Sequence, residues 1–166
     1  MTTLLLGGLV AYYATANPVV VTLQCGEKLF FEGKREDFKI TDDDVKRFVE
    51  SWVKLRYTWT EFDPQKVLDA VGPLSTQDLQ NKLKPVLQKT KVDATKPNQK
   101  FEITVTNIRV TLAAKEAVAS FDTIVRLNGF PIVVPGEVSL EIVQGMPTKW
   151  NYLGLYVNGV IEHEVK

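Results

Sequence analysis

A chain of 166 residues, with 20 Lys+Arg balancing 20 Asp+Glu, is long enough for one domain with a real core. It lacks the basic excess that phosphate binding normally shows, which argues against duplex nucleic acid as its main partner. A single cysteine, Cys25, rules out an intramolecular disulfide and any cysteine-based zinc site.

The chain opens with 26 residues that contain no charged side chain. Leu4, Leu5, Leu6, Leu9 and Val10 give this stretch its apolar character, and Tyr12 and Tyr13 suit the aromatic belt at a membrane interface. Crossing a hydrocarbon core takes about 20 apolar residues, which residues 1–24 just reach, although Asn17-Pro18 should end the helix early. These residues are therefore expected to be a membrane anchor or its remnant, with 25–40 as linker and 41–166 as the folded domain. Two other readings compete. A secretory signal peptide would be cut after Ala14-Thr15-Ala16 but should carry Lys or Arg before its apolar core, and a buried core helix would have the same composition.

After the leader, residues 19–23 read as a short strand, Cys25-Gly26 as a turn, and 28–31 as a returning strand. Thr41-Asp42-Asp43-Asp44 then starts a helix. Thr41 caps it, Asp44 completes a variant capping box, and the three acids favour the positive end of the helix dipole. Val45, Phe48, Val49, Trp52 and Val53 follow at helical spacing. Asp63-Pro64 opens a second helix carrying Val67, Leu68 and Val71, which stops at Gly72-Pro73. Ser75-Thr76-Gln77-Asp78 is the capping box of a third, expected to bury Leu79, Leu83, Val86 and Leu87, with Pro85 kinking or shortening it. Residues 89–100 read as a polar connection.

From Phe101 the apolar period becomes two. Phe101, Ile103 and Val105 alternate, then Ile108, Val110 and Leu112 on the opposite parity, which predicts a β-bulge near Thr106-Asn107. Residues 117–127 form the next strand, and Asn128-Gly129 is the pair that a type I′ hairpin turn needs. Residues 130–136, with Pro131 and Pro135, form an edge piece barred from a sheet centre. Strands at 138–143 and 149–163 complete the set. Helices first and an antiparallel, bent sheet second make an α+β domain, and this element order resembles the cone of nuclear transport factor 2-like folds.

Candidates for chemistry are few. His163 is the only histidine, three residues from the end, and reads as a solvated terminus because a catalytic or metal histidine needs convergent partners. Asp122 could point into the cone, with Tyr57, Trp59 and Tyr152 lining a pocket, but Trp52, Tyr57, Trp59 and Phe62 fall where core filling is the commoner use. No phosphate loop, nucleophile elbow or HExxH pattern occurs, so no enzyme activity, cofactor or metal is expected. Residues 82–100 hold six lysines (Lys82, Lys84, Lys89, Lys91, Lys96 and Lys100) against one acid, Asp93. Without interleaved aromatics to stack bases, nucleic-acid contact there would be at most transient.

The order of parts, a first helix reading Phe48-Val49-Glu50-Ser51-Trp52-Val53, and the segment Asn151-Tyr152-Leu153-Gly154 resemble the bitopic scaffold proteins of type IV secretion and conjugation systems, the eighth VirB-type component and the TraE-type transfer proteins. Asn151 and Gly154 sit where that family's Asn-Pro-x-Gly signature has its Asn and Gly, whereas Tyr152 stands where it has Pro. The resemblance implies a non-catalytic assembly protein of the bacterial inner membrane, spanning it once, with its main domain periplasmic. It would associate with itself and with other channel subunits, and Asn151, Tyr152, Leu153 and Gly154 would be its interaction residues. An exported small-ligand-binding or catalytic protein of the same cone shape is the alternative.

Overall fold

A computed structural model of the chain describes residues 19–24, 27–32, 39–94, 101–113 and 116–163. It divides into two units, Met1–Ile40 and Thr41–Lys166. In the first, β1 (Val19–Gln24) and β2 (Glu27–Glu32) pair antiparallel, from Val19 opposite Glu32 to Gln24 opposite Glu27. β1 thus occupies the end of the stretch read as anchor and β2 part of the stretch read as linker. Leu4, Leu5, Leu6, Leu9, Val10, Tyr12 and Tyr13 lie outside the described residues. Among those described, no helix is long and apolar enough to cross a membrane.

The second unit begins with α1 (Asp42–Tyr57). Thr41 caps it as its sequence requires: the Asp44 N–H donates to Thr41 Oγ1, and the Asp44 carboxylate accepts from the Thr41 N–H at 2.9 Å and from its hydroxyl at 2.6 Å. These bonds hold the Asp44 carboxyl below the usual carboxylate range. α2 (Pro64–Val71) starts with Pro in its first turn and the Asp63 side chain on the Gln65 N–H. It passes into a short 3₁₀ turn, Gly72–Leu74, and then into α3 (Gln77–Ala94).

A single four-stranded antiparallel sheet follows: β3 (Phe101–Leu112), β4 (Glu116–Leu127), β5 (Phe130–Gln144) and β6 (Leu155–His163), in that spatial order. The expected bulge is present between Thr106 and Arg109, with Asn107 at φ 53°. Asn128 and Gly129 take φ values of 52° and 89°, as a type I′ turn demands. α1 packs on the sheet face that carries Ala117, Ala119, Phe121, Val138 and Leu140, all buried. This is the α+β arrangement of helices on a bent sheet that the change of period announces.

Trp52 sits at the centre, fully buried. Its indole N–H donates to Ser75 Oγ at 2.9 Å, and that hydroxyl donates to Val71 O at 2.8 Å. Ser75 is therefore committed to the tryptophan and does not cap α3. Thr76 does, accepting from the Leu79 N–H. Three further expectations are corrected. Val86 is 49% exposed while Leu79, Leu83 and Leu87 are buried, because it lies at the edge of their stripe, where the space between α3 and β6 stays open. Of the two effects expected of Pro85, shortening is overturned: α3 runs through it to Ala94, since one missing amide hydrogen bond does not break a helix anchored by Leu83 and Leu87. Residues 130–144 form one strand rather than two, because β6 pairs only from Glu137 onward and leaves the two prolines on a free edge.

The indole and hydroxyl generate a stability prediction. Trp52→Ala is expected to cost about 3–5 kcal/mol through the cavity it leaves. Ser75→Ala should cost about 1–3 kcal/mol by stranding the buried indole N–H. Urea unfolding of each variant checks both values.

Candidate interaction surface

The segment singled out in the sequence lies in the loop between β5 and β6, not at the start of a long strand. Residues 145–154 are held by backbone bonds of their own. The Gly145 N–H donates to Gly154 O at 2.7 Å, Thr148 and Asn151 exchange N–H···O bonds at 2.9 and 3.1 Å, and the Gly154 N–H returns to Asn151 O at 3.1 Å. The Asn151 side chain, 3% exposed, donates to Leu155 O at 2.6 Å. Tyr156 adds a bond from its hydroxyl to Met146 O. These bonds divert the chain away from β5 and delay β6 to Leu155, which is why alternation alone misplaced the strand.

The four predicted residues are brought together, but in different roles. Asn151, Leu153 and Gly154 are buried and shape the loop from within. Gly154 has φ +65°, and a Cβ there would lie 2.6 Å from Gly145 O, so only glycine fits. Tyr152 is displayed to solvent. Beside it in the loop stand Trp150 at 71% and Met146 at 85% exposure, with the Lys149 ammonium 4.9 Å from the Trp150 ring centre. Met146 and Trp150 are the residues the sequence reading missed. Two large apolar side chains in a Gly-Met-Pro-Thr-Lys-Trp stretch were the available signal, obscured once residues 149 onward were read as strand.

The other candidates lie elsewhere. Asp122 does not enter the cone: its neighbour Phe121 takes the buried face, and its carboxylate accepts from Asn107 Nδ2 at 2.7 Å. His163 is exposed, as a solvated terminus would be, but it is held: it pairs with Glu137 in the sheet and its Nε2 lies 2.9 Å from Ser139 Oγ. Tyr57 stacks beside Phe121, 5.5 Å between centroids, and its hydroxyl donates to Glu162 Oε1 at 2.7 Å. Arg56 lies over the Tyr57 ring and 3.9 Å from the same carboxylate. Arg56 is 5% exposed, and its buried Nε has no hydrogen-bond partner among the described residues. Burial first, and the Glu162 carboxylate second, push the Tyr57 phenol above its ordinary range. Among the described residues, no group of His, Cys, Asp and Glu could hold a metal ion.

Two predictions follow from this geometry. Gly154→Ala should cost about 1–3 kcal/mol in backbone strain, with further cost from the Gly145 oxygen, whereas Tyr152→Ala should stay within about 0.5 kcal/mol of wild type; chemical denaturation separates them. Because the folded Tyr57 phenol ionises above the unfolded value of about 10, the folded state retains a proton that the unfolded state loses at high pH. Its contribution to stability is fully present below that pH and is lost as the pH rises beyond it. Tyr57→Phe should remove this part of the alkaline slope, read from denaturation midpoints across the pH range.

No family model matches the chain, and no curated protein matches it. Solved structures do. The soluble domain of TrwG from the type IV secretion machinery of Bartonella grahamii superimposes with a TM-score of 0.61 at 12% identity, covering 77% of this chain and 99% of that one. The transfer protein TraH of the Gram-positive conjugative plasmid pIP501 gives 0.59 at 9% identity, covering 77% and 98%. CagV of Helicobacter pylori, a VirB8 homologue of a type IV secretion system, gives 0.52 at 10%, covering 74% and 98%. At such identities the likeness is one of fold. The chain shares with them the nuclear transport factor 2-like arrangement of helices on an antiparallel sheet.

Proposed function

We propose that this protein is a non-catalytic assembly subunit of a type IV secretion or conjugative transfer machine. Its N-terminal segment would hold it in the bacterial inner membrane, with the domain from Thr41 onward on the periplasmic side, associating with further copies of itself and with other channel subunits. The observation that carries this reading is the fold shared with TrwG, CagV and TraH across nearly their whole length. The interior adds support. Trp52, Leu87 and Leu140 are fully buried and occupy the space between helices and sheet that an exported ligand binder would keep open.

The loop 145–154 is the surface we assign to partner subunits. Its buried residues fix the backbone, so Met146, Trp150 and Tyr152 are presented with little ordering cost on binding. Aromatic side chains on a rigid support commonly dominate interface energetics.

A strain lacking the native gene tests this. Complementation with Trp150→Ala combined with Tyr152→Ala is expected to lower conjugative transfer or secretion by at least about tenfold. Protein level, membrane fractionation and the circular dichroism of the variant should remain as in wild type. Undiminished transfer by the double variant would remove the loop from the proposal, and undiminished transfer in the strain without any copy would remove the function itself.

A further inference from the structure

The hairpin that joins β4 to β5 carries an apolar tip that the domain leaves uncovered. Phe130 is 76% exposed, Ile132 52% and Val133 62%. The register places Phe130 opposite Leu127, Ile132 opposite Val125 and Phe121 opposite Gly136. Phe130, Ile132 and Val134 therefore share a face with buried Phe121, and Pro131, Val133 and Pro135 take the other face. An antiparallel strand with one side in water alternates apolar and polar residues. This one is apolar on both sides from 130 to 135, so it is suited to being surrounded rather than to lying on a flat surface.

The edge of the same segment is blunted. A two-residue turn makes Leu127 and Phe130 a mutually hydrogen-bonded pair, so Pro131, Val133 and Pro135 are the positions that face away from β4. Proline supplies no N–H at two of these three positions. Strand addition is thereby disfavoured, and contact must come through side chains.

A receptive surface exists on the same molecule. Leu79, Leu83 and Val86 of α3 face Val160 and Ile161 of β6 across a groove of about 450 Å³, within the roughly 300–1,000 Å³ typical of occupied pockets. Its rim is apolar and open, with Val86 at 49% and Ile161 at 61% exposure. Glu116, Glu141 and Glu162 line it against Arg56 and Lys82, and Arg56 already faces Glu162. The tip stretch, residues 123–136, carries one charge, Arg126, which is the sign that the surplus carboxylate wants. Phe130 stands 11 residues along β5 from Glu141, about 36 Å at extended spacing, so a tip cannot fill its own groove.

We infer that the β4–β5 tip of one copy seats in the α3–β6 groove of a second copy, head to tail, with Arg126 beside Glu116 and Glu141. The inference rests on the self-association proposed above and names its surfaces. Because tip and groove are different patches, the contact is heterologous and continues into a ring or an open chain. The surface is small against the roughly 1,200 Å² that stable interfaces bury, so the contact is weak in solution and is favoured by the density of copies on a membrane.

Sedimentation velocity of the full chain in detergent, over a range of concentrations, tests it. Wild type should self-associate, and Phe130→Asp or Val86→Asp should each weaken association at least about tenfold while leaving the circular dichroism spectrum and melting curve unchanged. Where Val86→Asp disturbs folding, Ile161→Asp replaces it. A mixture of Phe130→Asp with the groove variant keeps one intact tip and one intact groove, so it should form one-to-one dimers and nothing larger. Arg126→Glu should weaken association, and Glu116→Arg in the partner copy should restore it. Association of wild type that Phe130→Asp leaves unchanged would overturn this interface and leave self-association standing. A wild type that stays monomeric throughout would overturn both. Loss of vesicle binding on Phe130→Asp, with self-association intact, would assign the tip to lipid instead and overturn the inference.

Discussion

The Trp52–Ser75 hydrogen bond is the point on which the helical layer and the sheet both depend. The indole cannot be buried without an acceptor for its N–H, and Ser75 supplies one from the turn between α2 and α3. The next residue, Thr76, donates its backbone N–H to Val157 O at 2.9 Å and its hydroxyl to Asn158 Oδ1 at 3.1 Å. One turn thus ties α1, α2, α3 and β6 together. The cap of α3, the entry of β6 and the placement of Arg56 one turn along α1 from Trp52 all follow from where that serine must sit.

At the C-terminal end of α1, one turn beyond Trp52, the constraint is electrostatic. Arg56, Tyr57 and Glu162 form a compact group in which one carboxylate serves both a guanidinium and a phenol. Burial raises the cost of ionising the phenol and leaves one guanidinium nitrogen without a hydrogen bond. With the Glu162 side chain 59% exposed, the pair adds little net stability, because water screens the attraction. Its effect is to fix the position of the last strand under α1, and with it the floor of the groove beside α3.

The two surfaces assigned to partners follow one rule: internal bonds make them rigid and large side chains make them sticky. In the loop 145–154, Asn151 and Gly154 hold the backbone so that Trp150 and Tyr152 are displayed. At the hairpin tip, the type I′ turn and two prolines hold the strand so that Phe130 and Ile132 are displayed. The Asn128-Gly129 turn and the edge prolines were legible in one place, and Asn151 with Gly154, through the signature they resemble, in the other. The exposure of their neighbours was not, because an apolar residue in a strand or turn has the same letter whether it faces a core or water.

Local chemistry was decided by the sequence itself. The Thr41–Asp44 capping box, the Asp63-Pro64 helix start, the Asn128-Gly129 turn and the bulge at Asn107 each depend on bonds or dihedrals within a few residues, and each stands where its residues put it. The change from helical to alternating period likewise announced helices followed by a sheet. What tertiary structure decided were the features that depend on distant partners. Ser75 gave up its cap for Trp52, 23 residues away, and β5 ran through its prolines because β6 starts pairing only at Glu137. His163, still exposed, was drawn into the sheet beside Ser139, and Asn151 with Gly154 turned inward while Trp150 turned out. Short-range hydrogen bonding and steric limits on φ are written in adjacent residues; which side of a strand is covered, and by what, exists only once the layers have met.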